Sequence, residues 1–295
     1  MVSFGKIKKV SAHIGFLRKK TGRKQSAGRL NEFSDVDATE DPQSFITYLD
    51  QTTGHPHYQA LSHSLISLFG PRKGNHLLDL GCGIGHDTFA LAKAVGPKGQ
   101  VIGIDASRFL LREARKRAKQ WPLKVNFRLG DAQHLSLPDR TVDGCWASRV
   151  LMHVPDPLQA IREMYRVLKP GGRIFSLEPD WETLVITSGH TKRSTTLRRI
   201  LQKSILHPGI GHTLPVRFRQ AGFQNIAVGA GTFMFSDFAL ANMAWRISQT
   251  VTQAVKFGFL SPRRAKHVMH GLTGDGAEGN FFGAATAFYI MGNKP

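Results

Sequence analysis

The segment His76–Thr88, HLLDLGCGIGHDT, constrains this chain more than any other: a short apolar run leads straight into glycines at 81, 83 and 85. Such a run is a strand, and the glycines mark a tight turn opening a helix, because glycine accepts positive φ and lets a ligand or another backbone come close. In an open parallel sheet that turn lies at the carboxyl edge, where ligands bind. Dinucleotide-binding turns look similar, but their G-x-G-x-x-G spacing would require glycine at position 86, where this chain carries His86. By itself the turn leaves the ligand open.

From about residue 75, apolar runs alternate with amphipathic helices, the signature of βαβ units. HLLDL, QVIGID, KVNFRLGD, TVDGCWAS and RIFSLE read as the first five strands. Ser107 and Asp156 stand where helix N-caps belong, Pro157 at a first helical position, and KPGG ends the helix that Asp156 opens. Beyond the fifth strand the alternation loosens. LPVRFRQAG reads as a helix, QNIAVGAG as a sixth strand and NFFGAATAFYIMG as the last; Ser236 is expected to cap a long helix reaching about Lys256, and Ser261-Pro262 to start another. The expected organisation is a basic tail over 1–40, lid helices over 41–74, a ligand-binding core over 75–180, an insertion or cap over 181–212, and the rest of the core over 213–295. A second helical insertion falls at about 236–278, and inserted helices of this kind are expected to cover the ligand crevice.

The balance of 40 Lys and Arg against 21 Asp and Glu gives a formal charge of +19, unevenly spread. Residues 1–30 hold nine of the basic side chains and no acidic one. Phe4, Ile7, Val10, Ile14 and Leu17 recur among them at helical spacing, which suits an acidic membrane surface or RNA, although Gly5 and Gly15 weaken a helix there and a solvated tail or active-site cover is the simpler reading. Cys82 and Cys145 offer neither a disulfide framework nor a zinc spacing, so a reducing cytoplasm is expected. No apolar run nears the roughly 20 residues that span a bilayer, and the amino terminus lacks a secretory apolar core.

Further signals follow in order. GDAQHL puts Asp131 at the end of the third strand, where a carboxylate can accept from an adenine amine while the Ala132 N–H meets a ring nitrogen. LPDRTVDGCWAS, LMHVPDPLQAIREMYRVLKPGG and RIFSLEPDW come next. With these motifs the chain closely resembles the class I S-adenosylmethionine-dependent methyltransferases, in particular the small-molecule group that includes quinone C-methyltransferases and natural-product methyltransferases. The resemblance covers about residues 75–180. It implies an α/β, Rossmann-like, doubly wound sheet of seven strands with the last antiparallel, and S-adenosyl-L-methionine as cofactor. Carried onto matching positions, it implies that Asp79 braces the loop, that Gly81, Gly83 and Gly85 admit the methionine moiety, that Asp105 with Ala106 holds the ribose, and that Asp131 with Ala132 reads the adenine.

Methyl transfer needs chiefly a positioned nucleophile and exclusion of water. Sugar O-methyltransferases similar to this chain use a histidine and an acid from the segments after strands four and five, which suggests His153 with Asp180 as a basic pair; Glu178 and Trp181 lie beside them. The competing reading is that His153 only shapes its loop. His134, His190 and His212 read as surface or loop residues. Trp181, Trp245, Phe238, Met243 and Phe282 could line an apolar pocket or simply belong to the core. Quinone enzymes carry an Asn-rich segment where this chain has SRVLMHVPDP, which counts against a quinone acceptor, and no carboxylate cluster suggests a metal. The expected substrate is a small, partly apolar metabolite. Methylation of RNA or protein through the basic surface, and a non-methylating use of the fold, remain as alternatives.

Overall fold

The crevice that matters here lies at the carboxyl ends of the first four of seven hydrogen-bonded strands. In the computed structural model, which describes residues 32–187 and 191–295, the strands are β1 (His76–Leu80), β2 (Gln100–Asp105), β3 (Val125–Leu129), β4 (Val142–Ser148), β5 (Leu168–Thr187), β6 (Gln224–Phe235) and β7 (Phe282–Asn293). The helices are α1 (Gln43–Thr53), α2 (Pro56–Phe69), α3 (His86–Val95), α4 (Arg108–Ala118), α5 (Pro157–Val167), α6 (Thr191–Lys203), α7 (Ile210–Gln220), α8 (Phe238–Trp245), α9 (Ile247–Lys256) and α10 (Pro262–Ala277). Strand order is β3-β2-β1-β4-β5-β7-β6, with β7 antiparallel to both neighbours. The expected doubly wound sheet is therefore present. Its order reverses between β1 and β4, which places a crevice at the ends of those two strands.

Local signals account for much of this. Ser107, Asp156 and Ser261 each accept from a backbone N–H of the helix they precede. The strands of the sheet centre read as continuous apolar runs because helices cover both faces. Trp146 of β4 stacks on Phe175 of β5 at 4.0 Å between ring centres, and Phe175 stacks on Tyr289 of β7. Both cysteines are free and buried. Among the described residues no helix is long and apolar enough to cross a membrane.

Three sequence expectations need correction. Residues 181–187 belong to β5, not to an insertion; their pairing with β7 is interrupted between Asp180 and Val185. The long helix expected after Ser236 is two, α8 and α9, separated by Arg246 in a left-handed conformation (φ 51°), and its cap is Asp237. KPGG is not a helix end, because α5 stops at Val167 and Leu168 already pairs with Val142 of β4. The basic stretch 1–30 and His190 lie outside the described residues.

Candidate active site

Asp79, one residue before the end of β1, is buried, its Oδ2 accepting from the Thr88 hydroxyl at 2.5 Å. Burial, with Asp87 nearby, pushes the Asp79 carboxyl well above the usual carboxylate range. The glycines that follow differ in what they do. Gly81 has φ 68°, and a Cβ there would sit 2.3 Å from Val150 Cγ2. Gly83 has φ 53°, and a Cβ there would meet only Leu49 Cδ1 at 3.5 Å, facing open space. Gly85 caps α3 with φ 92° and packs against Phe127 and Phe89, so it is absent from the cavity wall and shapes the turn instead.

The loop is tied to β2. The Gly81 N–H donates to Ile104 O (2.7 Å) and the Gly83 N–H to Asp105 Oδ2 (2.8 Å). Asp105 Oδ1 accepts from the Ser107 N–H at 2.8 Å. Burial raises the Asp105 carboxyl, against the pull of the Ser107 and Gly83 N–H groups. At the end of β3, Asp131 accepts from the Gln133 N–H and pairs with the His134 ring at 3.2 Å. Its partial burial is outweighed by those bonds, so its pKa is lowered.

Beyond β4 the chain turns through Arg149 (φ 61°) into a short 3-10 segment, Leu151–His153. Glu178 of β5 holds this turn: its carboxylate accepts from the N–H groups of Val150 (2.9 Å), Leu151 (2.8 Å) and Met152 (3.3 Å). Burial pushes the Glu178 carboxyl from 4.5 up to about 7, against those three bonds. A carboxyl raised on folding adds stability that is complete below its unfolded pKa and is lost as pH climbs through its folded one. The unfolding free energy should accordingly fall between pH 4.5 and 7, and Glu178→Gln should flatten that fall; an equally steep fall in the variant would assign it to other groups.

These segments line a cavity of about 650 Å³, within the range of about 300–1,000 Å³ usual for ligand sites. Asp79, Gly81, Gly83, Asp105, Ala106, Asp131, Ala132 and His153 all line it. Part of its wall comes from a region the sequence left in the tail and the lid: Phe33, Asp35, Val36 and Asp37, with Tyr48 and Leu49 of α1. Among the described residues none after Pro155 lines the cavity. The helices α6 and α8–α10 therefore do not cover the crevice as expected.

Of these, α8 and α9 hold the lid instead. Arg246 presents its guanidinium to the rings of Phe45 (4.3 Å), Tyr48 (5.3 Å) and Phe33 (5.6 Å), and Tyr48 donates to Ala244 O at 3.2 Å. Lys256 reaches Glu40 at 2.5 Å. On the other side Asp37 caps α4, accepting from Ser107 Oγ and the N–H groups of Arg108 and Phe109. Asp50 of α1 takes a two-pronged bond from Arg117 (2.6 and 2.8 Å) and pairs with His86 at 3.2 Å. The residue standing where a dinucleotide fold has glycine is thus a docking point for the lid.

The pair expected between His153 and Asp180 does not form. Asp180 is fully buried away from the cavity wall and accepts from the His212 N–H (2.8 Å) and ring Nδ1 (2.6 Å) and from the Glu182 N–H. His212, expected as a loop or surface residue, lies half-exposed on α7, held by this carboxylate. His153 lies against Phe33, its rings 5.2 Å apart. Burial, aided by Arg149 and His207, pushes its pKa down to about 3, so the ring is neutral and a weak base. Trp181 packs on Trp245 and Phe238 on Phe281 in the core; none of Trp181, Trp245, Phe238, Met243 and Phe282 faces the cavity. Burial raises both cysteine thiols, and among the described residues no cluster could hold a metal.

The sequence profile of a methyltransferase domain matches residues 71–212. A demethylmenaquinone methyltransferase of Anoxybacillus flavithermus is 37% identical over 179 residues, which are 55% of this chain and 75% of that protein. The chain belongs to the class I S-adenosylmethionine-dependent methyltransferases. An uncharacterized 37.1 kDa protein of transposon TN4556 from Streptomyces fradiae is 36% identical over 247 residues, 83% of this chain and 70% of that one. Among solved structures, the YcgJ protein of Bacillus subtilis superposes with a TM-score of 0.56 at 19% identity, over 80% of this chain and 98% of that one. Phosphoethanolamine N-methyltransferase 2 of Haemonchus contortus gives 0.60 at 19% identity, over 89% and 60%. These likenesses concern the fold. The cofactor of this methyltransferase is S-adenosyl-L-methionine, and the open face of Gly83, the Asp105 carboxylate and the buried Asp79 suit a nucleoside joined to an amino acid.

Proposed function

We propose that this methyltransferase transfers a methyl group to an O, N or C nucleophile of a small, partly apolar metabolite. The observation that carries the reading is the cavity, whose wall away from the glycine loop includes the apolar Phe33, Met152, Val154 and Pro155 and whose cover, α1 and the segment before it, is docked from both sides. A metabolite fits beneath such a cover; a polymer would require the cover to leave. Relatives named demethylmenaquinone methyltransferase are compatible with a quinone-like acceptor, while SRVLMHVPDP in place of the Asn-rich segment counts against one and leaves a natural product as the other acceptor class.

In this reading Asp79 faces the ammonium of the cofactor, Gly81 and Gly83 admit its methionine backbone, Asp105 with Ala106 takes the ribose, and Asp131 with Ala132 reads the adenine. The cofactor supplies an electrophilic methyl on a cationic sulfur. The protein contributes position and dryness, with Phe33 and neutral His153 against the acceptor. His153 can accept a hydrogen bond there, while Asp180 acts on His212 and keeps α7 in place.

The test is to incubate the protein with methyl-labelled S-adenosylmethionine and an extract separated into small molecules, RNA and protein. Label in a low-mass product supports the proposal. Label confined to RNA or protein would transfer the activity to the basic surface, and no formation of S-adenosylhomocysteine from any fraction would point to a non-methylating role. Removing residues 1–30 should leave cofactor affinity unchanged in calorimetry, since residues from Phe33 to Pro155 supply the described cavity wall; lost affinity would place the tail inside the site.

A further inference from the structure

Six aspartates line the cavity, Asp35, Asp37, Asp79, Asp87, Asp105 and Asp131, and among the described residues Arg149 is the single lysine or arginine of its wall. Arg149 pairs with none of them. Its group lies 4.7 Å over the ring of Tyr58, and its buried Nε has no hydrogen-bond partner. The acids whose fields reach it are already engaged: Asp87 accepts from the Ser62 hydroxyl and the Trp146 indole N–H, both at 3.0 Å, and Glu178 accepts from three backbone N–H groups. Enclosing an unpaired guanidinium is costly, and the cost is recovered when its counter-charge arrives. The backbone adds to the case, since Arg149 occupies a left-handed conformation that non-glycine residues rarely take, kept there by Glu178 on the next residues.

Position indicates which anion is meant. Val150, next in the chain, packs its side chain against Gly81, so Arg149 borders the part of the glycine loop assigned to the methionine moiety. Asp79, across that loop, is a buried carboxylate suited to an ammonium. We infer that Arg149 is the anchor for the α-carboxylate of S-adenosylmethionine, opposite Asp79, and that together they select the zwitterionic end of the cofactor. The inference rests on the family's cofactor and on the methionine moiety lying at the loop.

Calorimetry with three ligands tests this without turnover: S-adenosylhomocysteine, its decarboxylated counterpart S-adenosyl-3-thiopropylamine, and methylthioadenosine, which lacks the amino-acid end. The unaltered protein should prefer S-adenosylhomocysteine over the decarboxylated ligand by about 10- to 100-fold, as a charge-assisted pair implies. Arg149→Gln should bring that ratio close to one and leave methylthioadenosine affinity unchanged, and Arg149→Lys should restore part of the ratio. A ratio that survives in Arg149→Gln overturns the inference. So does an equal loss for all three ligands, which would make Arg149 a structural residue only. Absence of S-adenosylhomocysteine binding in the unaltered protein would instead contradict the cofactor assignment itself.

Discussion

Asp105→Ala is expected to weaken S-adenosylhomocysteine binding by on the order of 1–3 kcal/mol, about five- to 150-fold. Two effects combine. The carboxylate is the acceptor proposed for the ribose hydroxyls, and it also receives the N–H of Gly83, so it fixes the loop that meets the methionine end. Asp105→Asn separates them. It keeps one acceptor oxygen and should retain part of the affinity if loop geometry matters as much as the hydroxyl contacts. Calorimetry showing unaltered affinity in Asp105→Ala would remove this residue from the site.

The second large effect distinguishes two glycines only two positions apart. Gly81→Ala puts a methyl 2.3 Å from Val150 Cγ2 at φ 68°, so the cost falls on folding: about 2–4 kcal/mol, from left-handed strain and overpacking together. Gly83→Ala has room for its methyl and pays mainly backbone strain of about 1–2 kcal/mol, but the methyl enters the space reserved for the ligand. Cofactor affinity should then fall by roughly 1–3 kcal/mol, the usual penalty for overfilling a packed contact. Denaturant melts and calorimetry on both variants decide the matter. Gly81→Ala should shift the melt more, and Gly83→Ala should shift binding more than its melt explains. If Gly83→Ala bound S-adenosylhomocysteine as tightly as the unaltered protein, the loop would not be the seat of the ligand.

What the sequence made legible was local. Gly81 and Gly83 with the strand before them, the caps Ser107, Asp156 and Ser261, and the carboxylates Asp105 and Asp131 at strand ends are all signals contained within a few residues, and each one lies where a βαβ reading puts it. Contacts made across the chain were not legible. Tyr48 meets Ala244 and Asp37 caps a helix some seventy residues on, and neither residue type announces such a partner. The role of His86 was hidden for the same reason: its departure from the dinucleotide spacing was visible, its partner Asp50 was not.

Reading the late helices as a cap over the crevice failed on geometry. Insertion after late strands is compatible either with covering the ligand or with bracing whatever covers it, and here the second holds, through Arg246 and its three aromatic rings. The His153–Asp180 pair failed because the sequence shows which strand end a residue follows, not which side of the sheet its side chain takes; Asp180 turns to α7 and His212. Arg149 went unnoticed because an arginine after a strand is unremarkable until its Nε is seen buried with no hydrogen-bond partner.

The most direct test of this account is a crystal structure with S-adenosylhomocysteine. It should show the amino-acid end against Gly81 and Gly83 with its carboxylate on Arg149, the ribose hydroxyls on Asp105, and the adenine beside Asp131 and Ala132. A ligand bound in the reverse sense, with its adenine at the glycine loop, or bound outside the cavity beneath Phe33 and Tyr48, would contradict it.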